Sequence, residues 1–218
     1  MKKKNAYFTT KRITGMAIFA ALAFVVTMAT RWIKIAGFLS LDFKDAIITI
    51  ASFVYGPLAS VMVTVVVAGI EFFFSETGWY GLVMNIASST TFALVASFIY
   101  SRKRNINFAL IGLFAAVFAT VSVMLALNVL VTPFYFGYPR QVIIDMLPTV
   151  ILPFNLAKTL MNSAIIMLLY KPIVMAMRRA KLLKGEVGRL TFNKTSLLIT
   201  IVSSLSLITA IVIFIIIN

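Results

Sequence analysis

Apolar runs recur along this chain from Ile13 to Ile217, interrupted by shorter polar or basic segments. A helix needs roughly 20 predominantly apolar residues to cross the hydrocarbon core of a bilayer. Inside that core every backbone N–H and C=O needs an internal partner, which restricts spanning structures to helices and closed barrels. The runs are continuous rather than alternating, so the expected fold is an all-α integral membrane protein: six transmembrane helices in a bundle, then a seventh at the C-terminus. The balance of the residues agrees, with 61% hydrophobic and only 12% charged, against about 25% charged in ordinary soluble domains.

Taken in order, residues 1–12 form a basic tail. The body occupies residues 13–183, with spans near Ile13–Thr30, Asp45–Tyr55, Leu58–Phe74, Leu82–Tyr100, Phe108–Thr132 and Thr149–Tyr170. The second is short and stops at Gly56-Pro57, a turn signal, so part of the loop before it is expected to dip into the body. Pro133–Pro148 reads as the longest loop of the body. Residues 184–195 form a basic linker, and residues 196–217 are long enough to span alone.

Of the Lys and Arg residues, only Arg31, Lys34, Lys44, Arg140 and Lys158 lie outside the N-terminal tail, the Ser101–Asn105 loop and the Lys171–Lys194 segment. By the positive-inside rule those three basic segments are cytoplasmic. A multi-pass protein of the cell membrane with a cytoplasmic N-terminus follows. The net charge of +14 then reflects orientation and contact with the lipid bilayer rather than nucleic acid.

The sixth span carries the least expected residues. Asn155, Lys158 and Asn162 fall on one helical stripe, and a lysine at the centre of a span costs about 2.5–3.5 kcal/mol on insertion scales. In the N-terminal half of its helix it also opposes the macrodipole. With the orientation above, Asn128 at the outer end of span five and Glu71 at the outer end of span three reach the same depth as Asn155 and Lys158. Convergent polar groups in an apolar body, open to the outside, have the form of a binding site. Other roles stand beside that one: Lys158 snorkelling to the headgroups, Glu71 serving as its salt-bridge partner, and the Asn residues acting as interhelical glue.

Amides offer donors and an acceptor together, suited to a heterocycle edge or a run of hydroxyls. The aromatics of the outer loops, Phe38, Phe43, Trp79, Tyr80, Phe134, Tyr135, Phe136 and Tyr138, can close over a flat ligand or serve as interfacial anchors. Ala17 and Ala21 form a small-xxx-small pair in span one, which packs either within the bundle or against another protein. Catalysis is not expected. His and Cys are absent, which excludes the common metal ligands and Ser–His or Cys nucleophiles. No phosphate-binding loop of the GxxxxGK[ST] kind is present either.

The segments Leu41-Asp42-Phe43-Lys44-Asp45, Phe53-Val54-Tyr55-Gly56-Pro57-Leu58, Thr132-Pro133 and Pro153-Phe154-Asn155-Leu156-Ala157-Lys158, continuing to Leu169-Tyr170-Lys171-Pro172, resemble the substrate-binding S components of energy-coupling factor (ECF) vitamin transporters. Within that family the chain is most similar to the riboflavin-specific S component. The resemblance implies a six-helix S-component fold that captures riboflavin as a transported ligand, with no cofactor, near its outer face. It implies ligand contacts from Asn128, Asn155 and Lys158, with the loop carrying Asp42, Phe43 and Asp45 closing the site. It also implies that Ala17 and Ala21 meet a shared membrane scaffold subunit, and that two separate ATPase subunits hydrolyse ATP. Members of the family stop after span six, so residues 196–217 are a departure. The rival expectations are an S component for folate, thiamine or a flavin relative and, from another class, a membrane enzyme or an assembly subunit.

Overall fold

In the computed structural model, residues 8–35, 39–182 and 194–217 are described. Phe38, most of the N-terminal tail and all but the last residues of the 184–195 linker lie outside them. The elements are α1 (Thr10–Thr30), a hairpin of β1 (Lys34–Ile35) and β2 (Leu39–Ser40), α2 (Lys44–Tyr55), α3 (Pro57–Phe72), α4 (Gly78–Tyr100), α5 (Ile106–Phe136), α6 (Arg140–Met146), a π-helical turn (Leu147–Ile151), α7 (Leu152–Arg179) and α8 (Lys194–Ile217). Four helical runs among the described residues are long and apolar enough to cross a membrane: α1, α4, α5 and Arg140–Arg179.

The short α2 is the hub. It packs on α1, α3, α4 and α7, and nearly all of its side chains are buried, including Lys44, Asp45, Thr49 and Ser52, which find polar partners inside the bundle. At about 1.5 Å per residue its 12 residues fall well short of a bilayer's thickness. The deficit is made up by the chain before it, where Leu41, Asp42 and Lys44 are themselves buried. At its other end Gly56 takes φ 99, a conformation other residues adopt at a cost, and Pro57 opens α3 at a position where a missing N–H is harmless. The Arg12 guanidinium donates to the Tyr55 carbonyl, meeting one of the acceptors left at the end of α2.

The stretch 133–148 differs from the loop expected. α5 continues through Pro133 to Phe136 and stops only at Gly137, whose φ of 68 is left-handed. The helix restarts at Arg140 and runs through the π turn directly into α7. Pro148 and Pro153 cannot donate to carbonyls four residues back, and the winding relaxes between them, with the Leu152 N–H reaching Leu147 O. The proline and aromatic content of this stretch suggested a loop, but prolines are tolerated in membrane helices where neighbours satisfy the freed carbonyls. α7 likewise runs past Pro172 to Arg179, so the first part of the basic segment is helical.

α8 packs along α7, where Ser203 and Ala210 are fully buried and the Ser206 hydroxyl donates to Leu160 O at 3.0 Å. α4 and α5 approach closely at Gly112 of α5, where an added Cβ would lie 2.6 Å from the Ala96 carbonyl oxygen of α4. Gly112→Ala is therefore expected to cost about 1–3 kcal/mol by overpacking. In detergent this lowers the unfolding midpoint by at least about 2 °C. Gly69→Ala, which meets nothing within 4 Å, leaves the midpoint unchanged or raises it. Equal midpoints for the two variants would refute this account of the α4–α5 seam.

Candidate functional site

A cavity of about 480 Å³ lies among α1, the β2 end of the hairpin, α3, α4, α5 and α7, within the roughly 300–1,000 Å³ typical of small-molecule sites. Asn128, Asn155, Lys158, Asp42 and Glu71 all line it. The depth argument made from sequence named Asn128, Asn155, Lys158 and Glu71, from three helices, and the resemblance added Asp42 from the loop ahead of α2; all five share this wall. Asp45 and Phe43 are placed differently. Asp45 is buried behind the wall, its carboxylate accepting from the Ser89 hydroxyl. Phe43 packs with Leu41 and Phe154 and does not face the cavity.

An ion network holds the wall in place. The Lys158 ammonium lies 3.1 Å from Asp42 Oδ2 and 3.6 Å from Asp45 Oδ2. Lys44 lies 2.7 Å from Glu71 Oε2 and 3.7 Å from Asp42 Oδ2. Glu71 is therefore paired with Lys44 rather than directly with Lys158, as sequence depth alone suggested, because Asp42 stands beside both ammonium groups. Burial alone would raise the pKa of the Asp42 carboxyl, which sits in the loop ahead of α2. The ammonium groups of Lys158 and Lys44 together outweigh burial and hold it below its ordinary range.

The third member of the α7 stripe, Asn162, has a structural task. Its Oδ1 accepts the Ala46 N–H at 2.8 Å, and its Nδ2 donates to Asp42 O at 3.1 Å and Lys158 O at 3.0 Å. The side chain preceding α2 supplies no cap, so Asn162 caps that helix from across the bundle. Asn128 donates to Met124 O and accepts from Thr132, while Asn155 donates to Ile151 O. Each amide retains an N–H for a further acceptor.

Several lining residues were not singled out from sequence: Thr27, Met28, Arg31, Ser40, Lys44, Met84, Asn85 and Ser88. Asn85 donates to Glu71 Oε2 at 3.1 Å, and an amide near the start of the span expected from Leu82 was the available signal. Of the outer aromatics, Tyr80, Tyr135 and Phe136 line the cavity, with the Tyr80 and Tyr135 rings 5.5 Å apart. Trp79, Phe134 and Tyr138 are exposed. Ala17 and Ala21 face away from the bundle, while Gly15, Met16, Phe19, Ala20 and Ala23 form the packed face of α1.

The model of the family "ECF transporter, substrate-specific component" matches residues 11–174. The riboflavin transporter RibU of Staphylococcus aureus (strain TCH60) is 29% identical over 176 residues, covering 78% of this chain and 93% of the relative. A solved structure, described as the structure and mechanism of the S component of a bacterial ECF transporter, superposes with a TM-score of 0.67. Its identity is 30%, over 78% of this chain and 98% of that one. α8 lies beyond the segment matched by the family model.

The Lys44–Glu71 pair is desolvated on both sides, each side chain being at most 6% exposed. Breaking such a pair from one side costs about 3–5 kcal/mol, whereas replacing both partners costs far less. Glu71→Gln and Lys44→Met are each expected to lower the unfolding midpoint markedly, with the double variant recovering part of the loss. A double-mutant cycle measured by thermal unfolding tests this; simple additivity would show that the pair is not coupled.

Proposed function

This chain belongs to the substrate-specific components of ECF transporters, and we propose that the substrate it captures is riboflavin, bound in the 480 Å³ cavity. The observation that carries this reading is the charge balance of the wall. Arg31, Lys44 and Lys158 face Asp42, Glu71 and Glu76, and the core of the set is already paired internally. The lining charges balance, Asp45 behind them is shared with Lys158, and a wall whose charges are already paired favours a neutral ligand, which riboflavin is. Thiamine is a cation and folate an anion, and either would leave a desolvated charge without a partner. The amides of Asn128 and Asn155 and the remaining Lys158 proton suit the acceptors and donors along a flavin edge. Tyr80, Tyr135 and Phe136 offer faces for its flat rings. The name of the RibU relative supports the same substrate.

In this reading the membrane body is the six helices α1, α2, α3, α4, α5 and α7, within residues 13–183. α8 is a seventh crossing, and the N-terminus lies in the cytoplasm of a cell-membrane protein, with the cavity open to the outside. The chain supplies capture. Energy comes from a membrane scaffold subunit and two ATPase subunits. The outward-facing Ala17 and Ala21 on α1 present a surface that a partner helix can approach closely. The family is one of transport components, so no catalytic step is assigned to these residues.

Titration of the purified full-length protein with riboflavin, read by quenching of flavin fluorescence, is expected to be saturable. Asn128→Ala and Asn155→Ala should each weaken it about 10-fold or more, the loss of one desolvated hydrogen bond. Excess thiamine or folate should not compete. Saturable binding of either of those with no quenching of riboflavin would overturn the substrate assignment while leaving the family intact.

A further inference from the structure

α7 supplies Asn155 and Lys158 to the cavity and Asn162 to the cap of α2, yet its own entry does not fix how it is turned. Pro148 and Pro153 interrupt the hydrogen-bond ladder there, and the Leu152 N–H reaches back to Leu147 O through a π turn. A π turn holds more residues than an α turn, so a change between the two windings rotates everything that follows. Rotating α7 by about 10° would carry a group about 5–6 Å from its axis through about 1 Å. Binding groups need to stand within about 0.5 Å of their working positions. The rotation of α7 is therefore set by what grips it further along.

Hydrogen-bonded attachments grip it from opposite sides. On one side Lys158 is paired with Asp42, and the Asn162 amide joins Lys158 O to the start of α2. An attachment on one side alone leaves a pivot. On the other side α8 lies along α7, and the Ser206 hydroxyl donates to Leu160 O at 3.0 Å. Leu160 stands between Lys158 and Asn162 in sequence, about 200° around the helix from each. Ser203 and Ala210, on the same stripe of α8 as Ser206, are fully buried. Such small side chains let two helix backbones come close enough for a hydroxyl to reach a main-chain carbonyl. The Thr209 hydroxyl, by contrast, is exposed and bonds back to Leu205 O within α8.

We propose that Ser206 is a positioning residue for the capture site. Held through Leu160 O, α7 cannot turn about the Lys158–Asp42 pivot, and Asn155 and Lys158 stay aimed into the cavity. α8 lies beyond the segment matched by the family model, so this second grip is an addition to the matched body. The role presupposes that the cavity takes riboflavin.

The test measures riboflavin affinity and dissociation rate by flavin fluorescence on the full-length protein in detergent, well below the ligand-free unfolding midpoint of every variant. Ser206→Ala, which removes the hydroxyl, is expected to weaken binding about 3–10-fold, mainly through faster dissociation. Ser203→Leu, which wedges the seam open, should weaken it at least as much. Ser206→Thr, which keeps the hydroxyl, and Thr209→Ala should stay within about twofold of the wild type. A hydroxyl that served only to attach α8 would lower the midpoint and leave the affinity unchanged, and that result overturns the positioning role. A loss in Ser206→Thr equal to that in Ser206→Ala overturns it as well. Wild-type protein that fails to quench riboflavin overturns the substrate reading, and this role falls with it. Wild-type quenching with undiminished affinity in Ser206→Ala and Ser203→Leu overturns the role alone. Ser206 is only half-buried, so Ser206→Ala decides the matter even where Ser203→Leu fails to fold.

Discussion

The ion network Lys158–Asp42–Lys44–Glu71 is the interaction on which this structure depends. A lysine within an apolar helix is costly unless a partner is buried with it. Here the partner is carried by the segment between the hairpin and α2. Once Asp42 is drawn against Lys158, the following residues must enter the bundle, and α2 begins at bundle depth rather than at its rim. Asn162, one turn beyond Lys158, then caps α2 through Ala46. α2 is a short, almost wholly buried hub because the chain ahead of it is anchored by charge. The same residues that anchor the chain line the cavity, so the cavity wall and the hub are built together.

Such a network carries its own penalty. Desolvating ions can cost more than their attraction returns, and replacing the set with apolar groups would often give a more stable core. What the ions supply here is register and a polar wall. The wall is nearly neutral in sum, so it can line a cavity without drawing in an arbitrary ion, while the amides of Asn128, Asn155 and Asn85 stay in fixed orientations through bonds to the backbone and to Glu71.

Much of the helical plan was legible because membrane helices announce themselves by composition, and Gly56-Pro57 marked the α2–α3 break directly. The stripe on α7 was legible from spacing, and the shared depth of Asn128, Asn155, Lys158 and Glu71 from the charge bias of the loops. Three things were not legible. The 133–148 stretch looked like a loop because Pro, Gly and aromatic residues are read locally, whereas a helix in this setting tolerates Pro133, Pro148 and Pro153 through neighbouring contacts and a π turn. The partner of Glu71 depends on how deeply the chain ahead of α2 dips, a tertiary matter. Asn162 and Lys158 share a stripe, yet one caps a helix and the other meets carboxylates, and spacing cannot separate those roles.

α8 raises the question of what an added helix does to a bundle proposed to dock a partner on its outer surface. It attaches to α7 through Ser206 and Leu160. Leu160 is two residues from both Lys158 and Asn162, hence about 200° around the helix from each. α7 is thus held from one side by the ion network and its amide clamp and from the other by α8. α1 lies elsewhere, packed on α2 and α3, with Ile13, Ile18, Leu22 and Val25 exposed beside Ala17 and Ala21. An added helix on α7 leaves that face uncovered, so the seventh helix and a partner docked on α1 are geometrically compatible within one membrane plane.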